Sequence, residues 1–177
     1  MKKILLILLP ILTIISAFTS VMLTDWRIDD ENYVITFKTK GVKGGFKGLK
    51  GGIHFLENDL SQSKFDVTVD VNTISTGIGM KNKHALAEDF FDAGHYPTIH
   101  FVSSAVIRSD TSFVVKGYLT MKDVTHEISF PFTFKKEEEK GIFKSEFEIN
   151  RKDYNLDKKG IGEIIQIKLN VPVKQQD

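Results

Sequence analysis

The side chains best suited to chemistry crowd into one window, Glu88 to Phe101, which reads EDFFDAGHYPTIHF. It holds the carboxylates Asp89 and Asp92, the imidazoles His95 and His100, and the rings of Phe90, Phe91 and Phe101. Carboxylates beside imidazoles can divide acid and base work or hold a metal ion. Neither reading finds its remaining parts. The histidines are His54, His84, His95, His100 and His126, and no pair has the His-x-x-x-His spacing that sets two imidazoles on one helical face. There is no HExxH and no cysteine, which also removes any Cys-x-x-Cys-His haem site. His54 and His100 alternate with apolar neighbours and are expected to point outward into water. Hydrolysis lacks a Gly-x-Ser-x-Gly elbow, and Asp89, Asp92 and His95 have no nucleophile beside them. Ser103 and Ser104 belong to a strand pattern. The reading is therefore of no enzyme, no metal and no cofactor. The window reads instead as architecture, with Phe90 and Phe91 seating a loop and Asp89 and Asp92 accepting from backbone amides at nearby turns. A lid that moves to admit a ligand is the alternative.

The elements that position this window alternate with period two, the repeat of strands with one apolar face. In KFDVTVDV the residues Phe65, Val67, Val69 and Val71 fall on one side. Phe113, Val115, Leu119 and Met121 repeat the pattern, as do Ile128, Phe130, Phe132 and Phe134. Phe143, Phe147 and Ile149 follow, then Ile165, Ile167, Leu169 and Val171. Earlier strands are expected at 26–28, 33–38 and 51–55, and another at 99–108. Turn signals separate them, so eight or more antiparallel strands form a sandwich or an up-and-down barrel. Pro131 falls mid-strand on the outward side and marks an edge, a seam or a bulge. Met80 to Ala87 breaks the period with good helix formers before Pro97. GVKGGFKGLKGG, residues 41–52, reads as an irregular stretch where the backbone bends sharply or needs positive φ; it matches neither the P-loop nor the Gly-x-Gly-x-x-Gly pattern.

The first residues look like an export leader. Lys2 and Lys3 precede the apolar run Ile4–Ile15, and small residues follow. Residues 1–23 are assigned to this signal, cleaved or kept as a membrane anchor, and 24–177 to one domain. Loss of Lys2 and Lys3 takes the formal net charge from +1 to −1, which offers no field for nucleic acid. The expected compartment is outside the inner membrane, periplasmic or secreted.

Several segments, in order, resemble the YceI-like family of exported lipocalin-fold proteins: GVKGGFKGLKGGIHF, VTVDVNTISTG, NKHALAEDFFDAGHYPTIHF, VKGYLTMKDVTHEISFPF and INRKDYNL. Asp123 stands where the family usually has glycine, a substitution that left-handed geometry tolerates. The resemblance implies an all-β fold, an extended eight-stranded antiparallel lipocalin-like barrel with a short helix closing one end, whose apolar channel holds an isoprenoid or other long-chain lipid. On that reading the channel is lined by Phe37, Phe65, Val67, Val69, Phe101, Phe113 and Val115 from the first strands. Leu119, Phe130, Phe132, Phe147, Ile149, Ile167 and Leu169 complete it. Lys81, Lys83, His84 and Arg151 are head-group candidates, Arg151 alternatively forming an ion pair with Asp153. Family members are often dimers, and outward Val114 and Tyr118 leave room for a homodimer contact. Membrane contact is expected only through the leader or during lipid exchange. A barrel filled by its own phenylalanines, acting as a structural or stress-linked interaction protein, is the competing reading.

Overall fold

The computed structural model describes residues 25–176; the expected leader, residues 1–23, lies outside them. The alternating segments form strands wherever the sequence has period two. They are β1 (Asp25–Ile28), β2 (Val34–Thr39), β3 (Val42–Phe46), β4 (Leu49–His54), β5 (Lys64–Asp70), β6 (Thr98–Ser109), β7 (Ser112–Met121), β8 (Val124–Glu137), β9 (Lys140–Asn150) and β10 (Ile164–Gln175). A helix, α1 (Gly79–Leu86), interrupts them. Neighbouring strands are antiparallel in the order β1-β4-β5-β6-β7-β8-β9-β10, and β1 pairs back onto β10, so eight strands close a ring. Closure removes the free sheet edges except along one stretch between β8 and β9, which pair only from Thr133 to Glu137. β2 continues alongside β10, with Val34 to Lys38 opposite Asn170 to Gln166, and β3 pairs with β2.

The glycine-rich stretch has the expected positive φ at Gly41, Gly48 and Gly51 but is not irregular. It is mostly strand, β3 and β4, rather than irregular chain. Glycine hid the period because it shows no side chain to alternate. Gly48 turns the chain between the two strands at φ +69°, a geometry that other residues avoid. At Gly44 a Cβ would stand 2.4 Å from the Ser75 carbonyl and 2.7 Å from the Phe37 ring. The expected left-handed geometry at Asp123 is present, with φ +61° beside Lys122 at +48°. Two successive positive values suit the tight β7–β8 hairpin.

The interior has two unlike halves. At the end where β1 begins, Phe55 is 1% exposed and its ring meets Phe113, Phe132, Phe134 and Phe143 at centroid distances of 5.1, 5.6, 5.1 and 5.4 Å. Trp26 packs edge-on to Phe134 at 5.0 Å and donates its Nε1 proton to the Phe55 carbonyl at 3.1 Å. Edge-to-face pairs of this kind add about 0.5–1.5 kcal/mol each beyond the area they bury. The rings plug that end. Toward α1 the barrel is hollow.

Phe55→Ala removes the hub of the plug and should lower unfolding stability by about 3–5 kcal/mol. Urea denaturation followed by Trp26 fluorescence measures this, and a loss under about 1 kcal/mol would show that the rings do not depend on Phe55.

Candidate functional site

The hollow half is a cavity of about 490 Å³, within the range of roughly 300–1,000 Å³ typical of ligand pockets. Inward positions of the ring form its wall. β5 supplies Val67 and Val69, β6 Phe101, β7 Val115 and Leu119, and β8 Phe130. β9 supplies Phe147 and Ile149, β10 Ile167 and Leu169, and β2 Phe37. Phe65, Phe132 and Phe143 line it too and also pack against Phe55, so they form its floor. Phe113 is a correction. It does not line the cavity but stacks on Phe132 at 5.3 Å inside the plug, 3% exposed. Period two fixes which face a side chain takes, not how far along the barrel it lies.

Several wall residues carry no periodic signal. Phe46 comes from the glycine-rich stretch, and Ile74, Phe91, Leu156 and Ile161 come from loops at the mouth. Phe90 and Phe91 are buried and sit edge to face at 5.1 Å, with Phe91 edge-on to Phe46. They seat the Glu88–Phe101 window on the barrel end, as their types suggested.

The mouth lies between α1, the Thr39–Val42 turn and the loop 156–161. Lys81 and His84 line it, and Lys83 is exposed on α1 without lining it. Lys158 and Lys159 line it as well, unforeseen because they sit in a turn with no pattern. Lys81 Nζ donates to the Gly41 carbonyl at 3.1 Å, tying α1 to the β2–β3 turn. Arg151 is a second correction. It is 2% exposed and its guanidinium is spent on backbone carbonyls. Nε donates to Gly162 at 2.9 Å, Nη2 to Lys158 at 2.8 Å and Ile161 at 3.1 Å, and Nη1 to Leu156. The carboxylate in reach is Asp157 at 3.9 Å, not Asp153. Arg151 thus shapes the loop that carries Leu156, Lys158 and Ile161 and is unavailable to a head group. Buried Tyr154 lies beside it, and desolvation, with the Asp153 charge adding to it, pushes its phenol up to about 12.

The carboxylates of the window are engaged chiefly by side chains, with the backbone amide of Asp89 a smaller partner of its own carboxylate. Asp89 pairs with Lys158 at 2.8 Å, and that bond holds its pKa below the usual value. Asp92, at φ +49°, accepts from His95 Nδ1 at 2.9 Å. The outward histidines are partnered rather than free in water: His54 meets Asp25 at 2.9 Å with its side chain 17% exposed, and His100 meets Asp66 at 2.8 Å. Among the described residues no three His, Cys, Asp or Glu side chains converge as a metal site.

The wall is unzipped on one side. β8 pairs with β9 only from Thr133 opposite Lys144 to Glu137 opposite Lys140. Below Thr133, residues 124–132 of β8 and 145–150 of β9 have no partner in each other, although β8 stays paired with β7. Pro131 stands where the ladder stops. Its carbonyl accepts from Ser145 Oγ across the gap at 2.6 Å, so its backbone faces β9, where proline has no N–H to give. Of the edge, seam or bulge that Pro131 signalled, the structure has a seam, along the hollow half. Phe130 and Phe147 stack across it at 4.2 Å, and His126 Nε2 meets the Asp153 carbonyl at 2.9 Å at its upper end. Lys144 and Ser145 border the cavity at its lower end.

Residues 26–173 match the YceI-like domain. A UPF0312 protein of Vibrio vulnificus is 32% identical over 94 residues, 52% of this chain and 50% of that protein, so the chain spans about half the length of that relative. Protein YceI of Salmonella newport is 24% identical over 77% of this chain and 78% of its own. Among solved structures, Burkholderia cenocepacia BcnA superposes with TM-score 0.78 at 25% identity, over 82% of this chain and 99% of that one. A polyisoprenoid binding domain from Saccharophagus degradans, at TM-score 0.68 and 14% identity over 87% and 99%, shares the fold.

Two measurements test this geometry. Pro131→Val restores an N–H facing β9 and should lengthen the ladder, slowing amide exchange between Glu146 and Glu148; unchanged exchange would mean that something other than proline holds the seam apart. His95 should titrate above the ordinary 6.5, because Asp92 bonds and attracts its charged form, with a small contribution from the Glu88 charge. A raised folded pKa means that its contribution is complete below about pH 6.5 and is lost as pH rises through the folded value. NMR titration should show the shift, and Asp92→Asn should abolish most of it.

Proposed function

The chain belongs to the YceI-like family, and on that premise we propose that it binds a long-chain isoprenoid or similar amphiphilic lipid in its barrel cavity and carries or sequesters it outside the inner membrane, without catalysis. One observation supports this above the rest: the barrel is packed solid around Phe55 yet hollow toward α1, and the ring strands offer no charged side chain to the hollow apart from Lys144 at the seam. A chain of methyl and methylene groups is the complement of such a wall. Each buried CH₂ contributes about 0.8 kcal/mol, so an isoprene unit supplies at most ~4 kcal/mol and a few units approach the practical ceiling of affinity. Affinity alone would not discriminate chain length, and ordering of the ligand offsets part of the gain.

The mouth supplies the polar end. Lys81, His84, Lys158 and Lys159 are the head-group candidates once Arg151 is set aside. A non-enzymatic role agrees with the site's acids, since Asp89 and Asp92 are committed to Lys158 and His95. The leader read in residues 1–23 supports export.

Lipids extracted from the natively purified protein should include a polyprenyl compound by mass spectrometry. Val69→Trp fills a partly accessible wall position and should weaken uptake of added polyprenyl lipid at least tenfold while the fold survives an overpacking cost of about 1–3 kcal/mol. Absence of any co-purifying amphiphile together with no uptake by the unaltered protein would end this reading.

A further inference from the structure

We propose that the face formed by β3 and α1 is a docking surface for an anionic lipid bilayer, set beside the cavity mouth. The inference rests on the lipid-binding reading, for which it supplies the place where cargo is exchanged. Its basis is a segregation of charge. From Val34 to Leu56, and again from Val71 to Ala87, the chain has no Asp or Glu. The fold brings these two acid-free segments together. Gly45 and Ser75 exchange backbone hydrogen bonds of 2.9 Å, Thr73 Oγ1 accepts from Lys47 N at 2.9 Å, and Lys81 reaches the Gly41 carbonyl. The result is a face with Lys38, Lys40, Lys43, Lys47, Lys81 and Lys83, bordered by the single carboxylate Asp70 beside Gly48, on a protein whose formal net charge is only +1 over 24 basic and 23 acidic residues.

An apolar tip projects from this basic face. Ile78 is 50% exposed and Met80 71% exposed at the start of α1, a helix that buries none of its residues. So short a helix gains little from its own hydrogen bonds. Side chains fix it in place instead: Asn82 Oδ1 accepts from Thr76 N at 2.8 Å and from Thr76 Oγ1 at 2.7 Å. The structure thus holds two apolar side chains in solvent with lysines around them. Lysines attract anionic head groups, and the apolar tip enters the boundary between head groups and acyl chains. A nucleic acid would satisfy the lysines but not Ile78 and Met80, and none of the exposed large side chains here is an aromatic ring for stacking. Because Lys81 and His84 of the same helix line the mouth, docking would place the opening against the bilayer where an isoprenoid resides.

The chain has no cysteine, so one label reports one position. An environment-sensitive fluorophore on Met80→Cys should shift to the blue when phosphatidylglycerol-containing vesicles are added. The same label on Asp110→Cys, at the plugged end, should not. The Met80 shift should vanish with phosphatidylcholine vesicles or in high salt, and Ile78→Asp should raise the lipid needed for half the shift at least tenfold. Labels that both stay silent, that respond alike, or that ignore lipid charge and Ile78→Asp would overturn the surface. Micelle-delivered polyprenyl lipid separates the two readings. A Met80 shift in a protein that takes up none upholds the docking face and sinks carriage, whereas uptake with a silent Met80 label does the reverse.

Discussion

An empty apolar cavity weakens a protein, because the side chains around it lose the neighbours that close packing would give them. This barrel has no disulfide to offset that loss. What it has is concentrated at one end, where the ring of strands is paired all the way round and the rings about Phe55 interlock. The hollow half is thus held open by the solid half. The floor residues Phe65, Phe132 and Phe143 belong to both, touching Phe55 on one side and the cavity on the other. Fold stability and binding volume meet in those three rings.

Much of this was legible from alternation. The faces of β5, β7, β8, β9 and β10 follow from period two, whereas β6 changes phase at a bulge between Ser103 and Ala105; Pro131 on the outward side of β8 signalled an edge, a seam or a bulge, and the structure has the seam. Depth along the barrel does not follow, because period two is the same at either end. That is why Phe113 read as channel wall although it stacks in the plug with Phe132. The strands of the glycine-rich stretch were hidden because alternation needs side chains to show itself, and Phe46 was missed with them. Loop residues such as Ile74, Leu156 and Lys159 reach the cavity only through the path of the folded chain. Arg151 shows a different limit. Its pattern indicated a cation needing partners, but four carbonyls of a following loop can replace a carboxylate, and no local spacing announces them.

The window that promised chemistry instead fastens the mouth. Asp89 reaches Lys158 in the loop shaped by Arg151, so the segment after α1 and the segment before β10 are tied together across the opening. Phe90 and Phe91 press the same segment into the barrel end, and Tyr96 N bonds the Asp92 carbonyl at 2.8 Å to close its turn. Carboxylates and imidazoles gathered in one loop are as well suited to holding it in shape as to moving protons, and here Asp89 holds Lys158 and Asp92 holds His95.

The parted strands β8 and β9 carry a consequence for filling. A tube stoppered by Phe55 and its neighbours behaves like a syringe barrel: an oily chain advancing from the mouth must displace whatever water lies ahead of it. With one opening, inflow and outflow would obstruct each other. The slit beside Phe130 and Phe147 runs along the hollow half, so under the proposed lipid binding displaced water has a sideways path past those two stacked rings.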